Sequence, residues 1–252
     1  MNRGELGRYV GSTGHTLGHV EKDYLQHIVL AAYSRDLAGH LVFKGGTALQ
    51  KRGVVARFSE DLDFTMTGEV EAEKLQRSAV QALEAYNYTA RTDGEKEDER
   101  GISFRLRIEG PLFNGHRNSL ASLRVEVSKR EKVLLPASRD EISPPYTDVM
   151  PYVLRSMDLG EVLAEKVRTL ATRSKARDLY DVAQLTGKGV TVDMDIVEKK
   201  MEWGDETYDG ANVLERSRLL RSGWDKELES LMEHIPPFDE ALSALEGLLE
   251  DL

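Results

Sequence analysis

The sequence predicts an α+β fold, with a mixed sheet flanked by helices over 1–150 and a helical bundle over 151–252. Three observations carry this expectation. Apolar and polar residues alternate strictly from Ile102 to Ile108 and again from Leu123 to Val127, the signature of half-buried strands. Helical spacing dominates from Leu159 onward. Between the two patterns lies Pro136 to Pro151 (PASRDEISPPYTDVMP), rich in proline and turn residues and read as a crossover without an element of its own.

At 252 residues the chain is long enough to bury a sizeable core in one large or two modest domains. A hydrophobic content of 40% beside 31% charged residues fits a soluble globular protein. The absence of cysteine excludes disulfides, thiol chemistry and cysteine-ligated zinc. No apolar run is long enough to span a membrane, and Met1 to Val20 lacks the apolar core of a signal peptide. A cytoplasmic location is the expectation. The net charge of −10 argues against a broad nucleic-acid-binding surface, so any such contact must fall on a local basic patch.

In chain order, 1–18 is glycine-rich and weakly patterned, and reads as a loose arm or a poorly periodic first helix. Val20 to Leu37 reads as an amphipathic helix with Val20, Tyr24, Ile28 and Ala31 or Ala32 on one stripe. Leu41 to Phe43 is a short strand, followed by Lys44-Gly45-Gly46-Thr47 and about two turns of helix by their pattern. A second strand carries Asp61 and Asp63. Its period of two puts Leu62 and Phe64 on one face and both carboxylates on the other.

Val70 to Tyr86 reads as a helix with Leu75, Ala79, Val80 and Leu83 inward, and the charged stretch Thr92 to Arg100 as a solvated hairpin tip. Glu126 points away from the apolar face of its strand, as Asp61 and Asp63 do on theirs. Neighbouring strands would converge the three carboxylates on one open face; otherwise Glu126 is a surface carboxylate paired with Arg124 or Arg107.

In the helical part, Val162, Leu163, Val167 and Leu170 form one buried stripe and Leu179, Val182 and Leu185 another, with a basic segment from Arg173 to Arg177 between them. Helical spacing also marks Met201 to Leu220, Trp224 to Met232 and Phe238 to Leu252. Trp203 and Trp224 read as core anchors, Asp193 and Asp195 as helix caps, and none of the six histidines is assigned to a metal or to general-base work.

The chemistry concentrates between Leu41 and Thr65. Two carboxylates on one strand face invite a divalent cation, and Mg²⁺ takes hard oxygens, usually one or two protein carboxylates plus substrate phosphates. Two glycines let the backbone approach an anion, and the following helix start offers free N–H groups. Together these are the parts of a metal-nucleotide site.

The segment KGGTAL followed by RFSEDLDF closely resembles the AbiEii/AbiGii toxin family of nucleotidyltransferases, within the DNA polymerase β-like superfamily. The AEK…R.K.RD..D pattern spanning Lys166 to Asp181 is similar to that family's second characteristic segment. The resemblance implies the nucleotidyltransferase fold, with the C-terminal domain contributing to the nucleotide site. It implies a catalytic set of Asp61, Asp63, Glu126, Lys166 and Asp178, with Asp181 the alternative acid of the RDxxD segment. The family more commonly has Asp where Glu126 stands. Mg²⁺ or Mn²⁺ would sit on Asp61, Asp63 and Glu126. The NTP would be held by Lys44, Gly45, Gly46, Thr47, Arg57, Ser59, Lys166 and Asp181.

The implied acceptor is a hydroxyl at the 3′ end of tRNA, with Arg168, Arg173, Lys175 and Arg177 as phosphate contacts. Blocking translation in this way would make the protein a toxin, opposed by an antitoxin encoded alongside and used in phage defence (abortive infection). A protein or small-molecule hydroxyl is the alternative acceptor, and a non-catalytic NTP-binding module of the same fold the alternative to an enzyme.

Overall fold

The alternating segments pair into one seven-stranded mixed sheet in this computed structural model, which describes residues 1–13, 15–173 and 175–252. Gly14 of the expected arm and Ser174 of the expected basic segment lie outside the described residues. The chain divides into two units. The first comprises Met1–Arg52, Phe58–Val133 and Ala137–Ser156; the second Gly53–Arg57, Leu134–Pro136 and Met157–Leu252.

The first unit contains α1 (Arg3–Gly7), α2 (Val10–Thr13), α3 (Leu17–Asp36), β1 (Leu41–Lys44), α4 (Gly45–Lys51), β2 (Leu62–Met66), α5 (Ala72–Ala85), β3 (Thr89–Glu97), β4 (Gly101–Glu109), β5 (Ala121–Ser128), β6 (Ser138–Ile142) and β7 (Tyr152–Ser156). Its strand order is β3-β4-β5-β2-β1-β7-β6, with β2 parallel to β5 and β1 parallel to β7. One face of the sheet is apolar. Phe43, Leu62, Phe64, Phe104, Leu106, Leu123, Val125 and Val127 meet Leu25, Ile28, Val29 and Tyr33 of α3 and Leu75, Ala79 and Leu83 of α5 in a single core.

Three expectations for this unit are corrected. Residues 1–13 are not a loose arm. Asn2 caps α1 in a reciprocal box with Glu5, Leu6 is fully buried in the core, and the carbonyl of Met1 accepts a hydrogen bond from the Tyr88 hydroxyl at 2.7 Å. The charged stretch from Thr92 is mostly strand, since β3 runs to Glu97 and pairs antiparallel with β4, leaving only Asp98 to Arg100 as the tip. The crossover also holds an element, β6, within Pro136 to Pro151.

The second unit contains α6 (Leu159–Thr172), α7 (Ala176–Gly187), α8 (Met194–Glu202), α9 (Gly210–Arg218), α10 (Trp224–Leu228) and α11 (Phe238–Asp251). The two apolar stripes of α6 and α7 are buried as their spacing requires. Met201 to Leu220 is not continuous helix; it breaks after Glu202 and restarts at Gly210, where the Asp209 carboxylate accepts from the Asn212 N–H at 3.1 Å. Asp193 caps α8. Trp224 is buried, donating its indole N–H to Pro236 at 2.9 Å, whereas Trp203 is half-buried with Lys200 over its ring.

Candidate active site

In the first unit, β1 passes directly into α4. Gly45, the first helical residue, has φ +74°, in the region that disfavours a side chain. It has a second reason to be glycine. A Cβ at this position would run into the carboxylate of Asp63, coming within 3.1 Å of its Cβ and Cγ. The acidic strand therefore reaches the glycine turn only because position 45 lacks a side chain. Thr47, fully buried, donates its hydroxyl to the Asp61 carbonyl and ties the chain just before β2 to α4. Its hydroxyl thus holds the acidic segment in place. At the N-cap, Lys44 makes no side-chain cap to the first turn of α4.

Strand register places the charged groups in one row. Lys44 of β1 is opposite Asp63 of β2, Asp63 is opposite Glu126 of β5, and Glu126 is opposite Ser103 of β4. Register partners share a sheet face, so Lys44, Asp63 and Glu126 lie on one side of the sheet, whereas Asp61 precedes β2 and is outside the strand expected to carry it. The row is internally paired. The Lys44 ammonium binds the buried Glu131 carboxylate, and Glu126 forms an ion pair with Arg124. Among the described residues no three His, Asp or Glu side chains gather closely enough to hold a metal by themselves. Asp63 and Glu126, on adjacent strands, still offer the two hard-oxygen donors that suffice for Mg²⁺ when phosphates complete its shell. Using Glu126 would require it to leave Arg124. The Ser59 backbone is engaged locally, its N–H donating to Gln50 at 3.0 Å and its carbonyl accepting from Gln26 at 2.8 Å.

Two groups here escaped the sequence reading. Glu131 lies in the charged run Ser128 to Lys132, which has no periodicity to single it out. His15 and His19 stand four residues apart, a spacing that can share a helical face; their rings lie 6.2 Å apart, and His19 stacks on Phe58 with centroids 4.2 Å apart. Burial lowers the pKa of both.

In the second unit, Arg57 grips Asp181 bidentately, Nε to Oδ1 at 2.7 Å and a terminal nitrogen to Oδ2 at 2.6 Å. Lys166 reaches Asp178 at 2.9 Å and Asp181 at 2.7 Å, and Arg173 reaches Asp178 at 3.0 Å. Both aspartates are fully buried, and Arg57 and Lys166 nearly so. Burial alone would raise the pKa of Asp178, but Lys166 and Arg173 hold it well below the usual carboxylate range. Burial would lower Lys166 and Arg57, and the aspartates instead raise both. Three cations meet two anions, with the surplus charge on the half-exposed Arg173.

A second buried set joins Lys200 to Glu161 at 2.7 Å and to Glu165 at 2.9 Å. The Glu161 carboxylate also accepts the N–H groups of Leu134 and Leu135. Of the residues assigned to RNA, Arg173 is engaged by Asp178, Arg168 and Arg177 are half-buried, and Lys175 is exposed at the start of α7.

The model of the family described as Nucleotidyl transferase AbiEii toxin, Type IV TA system, matches residues 28–244. Among solved structures, MenT4, a nucleotidyltransferase toxin from Mycobacterium tuberculosis H37Rv, is similar with a TM-score of 0.70 at 22% identity, over 100% of this chain and 90% of that one. JHP933 from Helicobacter pylori is similar with a TM-score of 0.59 at 16% identity, over 94% of this chain and 92% of that one. At these identities the likeness is one of fold. No curated protein sequence matches.

Proposed function

The chain belongs to the AbiEii family of nucleotidyltransferase toxins of type IV toxin–antitoxin systems, and from that premise we propose that it transfers a nucleoside monophosphate from an NTP to the 3′ hydroxyl of a tRNA. The observation that carries this reading is the seating of the Asp63 carboxylate against Gly45, which joins the acidic strand to the glycine turn. An acid beside an uncapped, side-chain-free turn suits a triphosphate bound through both its cation and its oxygens.

In this reading Asp61 and Asp63 hold Mg²⁺ or Mn²⁺, with Glu126 joining them when it leaves Arg124. When bound, the ion supplies positive charge at the triphosphate oxygens and favours departure of pyrophosphate. The Gly45-Gly46-Thr47 backbone orients the phosphates, and Lys44 contributes positive charge beside them. In the helical unit Asp178 and Asp181 hold the Lys166 ammonium and keep it protonated. The acceptor oxygen forms a bond to the α-phosphorus as the bond to pyrophosphate breaks, and Glu126 takes the hydroxyl proton. Positioning and electrostatics, with no covalent enzyme intermediate, carry the catalysis. An antitoxin counters the activity in the cell, and phage defence is the setting.

The test is transfer from each of the four labelled NTPs, with Mg²⁺, to total tRNA and separately to a protein extract. We expect label on tRNA with wild type and a loss of at least about 100-fold in Asp61→Ala, the scale expected when transition-state charge stabilisation is removed. Label confined to protein would overturn the tRNA acceptor, and undiminished transfer by Asp61→Ala would overturn the assigned site.

A further inference from the structure

The polar face of the sheet continues past Glu126 onto β4 and β3, and there it becomes basic. Register places Arg124 of β5 opposite Arg105 of β4, Arg105 opposite Asp93 of β3, Arg107 opposite Arg91, and Ser103 opposite both Glu126 and Lys96. Arg91, Lys96, Arg105, Arg107 and Arg124 thus share a face in a chain whose net charge is −10. Two are paired, Arg107 with Asp93 at 3.2 Å and Arg124 with Glu126. Among the described residues Arg91, Lys96 and Arg105, all exposed, make no ion pair. Like charges placed opposite one another across strands are destabilising, so Arg105 facing Arg124 is an arrangement that an anion would relieve.

Local geometry makes this a concavity. The β3–β4 register slips between Asp93 and Lys96, where Gly94 takes φ +64°, and the bulge opens a depression of about 270 Å³. Lys96, Ser103, Arg105 and Arg124 line it, with the Asp93 carboxylate on its wall. Neighbouring strands lie about 4.8 Å apart, so Lys96 stands roughly 10 Å from Glu126 and 14 Å from Asp63 along the row.

We propose that this depression binds a backbone phosphate of the acceptor RNA strand, a few nucleotides upstream of the reacting 3′ hydroxyl. This rests on the transfer reading and assigns the acceptor a docking surface different from the basic segment around Arg173. Lys96 and Arg105 supply charge, and the Ser103 hydroxyl supplies a hydrogen bond. The contact reads the backbone and not the bases, so it positions the strand without choosing its sequence. Glu126, when released by Arg124, faces the reacting end, and the freed Arg124 completes the phosphate pocket.

The experiment measures binding of a labelled single-stranded RNA by anisotropy from low to moderate salt, alongside steady-state transfer, for wild type and Lys96→Gln/Arg105→Gln. Removing the charge that neutralises this one phosphate should lower the slope of log affinity against log salt by about 0.7, and the KM for RNA should rise roughly tenfold with kcat and the KM for NTP unchanged. The charge-conserving Lys96→Arg/Arg105→Lys variant should retain most of the wild-type slope. Equal slopes and equal KM in wild type and the glutamine variant would overturn the proposal, as would a wild type that binds no RNA. A wild type that binds RNA with this residue dependence but transfers nothing to it would support the surface and overturn the transfer reading.

Discussion

At the scale of single residues, the most constrained position is one with no side chain. Gly45 is required by its backbone conformation and again by the Asp63 carboxylate seated where a Cβ would project. Gly45→Ala should therefore lose transfer activity much more than stability. Strain at a left-handed position costs about 1–3 kcal/mol, a loss the core of the first unit can absorb, whereas displacing the carboxylate misplaces a proposed metal ligand. A thermal melt lowered by several degrees together with a kcat at least about 100-fold down is expected. Retained activity at the lowered midpoint would show that the carboxylate need not sit at the turn. Much of this site was legible in the sequence, because the two glycines and the DxD lie within one short stretch and each has a chemical meaning. The partners of its charges were not. Glu131 binds Lys44 from 87 residues away and Asp181 binds Arg57 from 124 away, and no local pattern announces such pairs.

At the scale of elements, legibility followed burial. β4 and β5 alternate because one face of each is core and the other polar. β3 and β6 are the edges of the sheet and carry mainly charged and polar residues, so the alternation that marks a strand is missing. α3 failed the simple amphipathic reading in the opposite direction. It buries Glu21, Asp23, Gln26 and His27 as well as its apolar stripe, and each of the four has a partner.

The cluster within α3 has a consequence for pH. Burial depresses the His27 pKa to about 3, with Lys51 adding to the effect, so the imidazole is neutral beside the Tyr152 hydroxyl at 2.7 Å. Burial would raise Asp23, but Lys51 at 2.5 Å and the Tyr146 hydroxyl at 2.8 Å draw its pKa down to about 2. Since His27 is neutral over most of the range, Lys51 carries the larger share of the Coulombic pull. In both cases the unfolded chain binds the proton more readily than the folded one, so stability is lost as pH falls. For His27 the loss runs from 6.5 down to about 3, and for Asp23 from 3.8 down to about 2. Thermal midpoints measured against pH should fall from about 6.5 downward in wild type. In His27→Asn, which keeps an acceptor for Tyr152, the fall between about 6.5 and 4 should become shallower, leaving the contributions of His15 and His19, and an unchanged fall over that range would assign the acid sensitivity elsewhere.

At the scale of the whole molecule, composition was a guide to the average and not to the surface. A net charge of −10 excluded a basic protein, and the cations of β3, β4 and β5 nevertheless collect on one face, because a period of two sorts every second residue to the same side. The switch in periodicity near residue 150 does not reveal how the chain is shared between the two units. The chain gives five residues, Gly53–Arg57, to the helical unit between the glycine turn and the acidic strand, and three more at Leu134–Pro136. A gene cut after codon 156 would strand the Arg57 guanidinium without Asp181 and the Leu134 and Leu135 amides without Glu161. An unpartnered buried charge costs about 3–5 kcal/mol, so neither piece should be soluble when made alone, and both should be recovered together when co-produced. Ancestry by simple fusion of two ready-made modules is thereby disfavoured: a splice joining independent parts leaves one seam, and this polypeptide crosses its seam repeatedly.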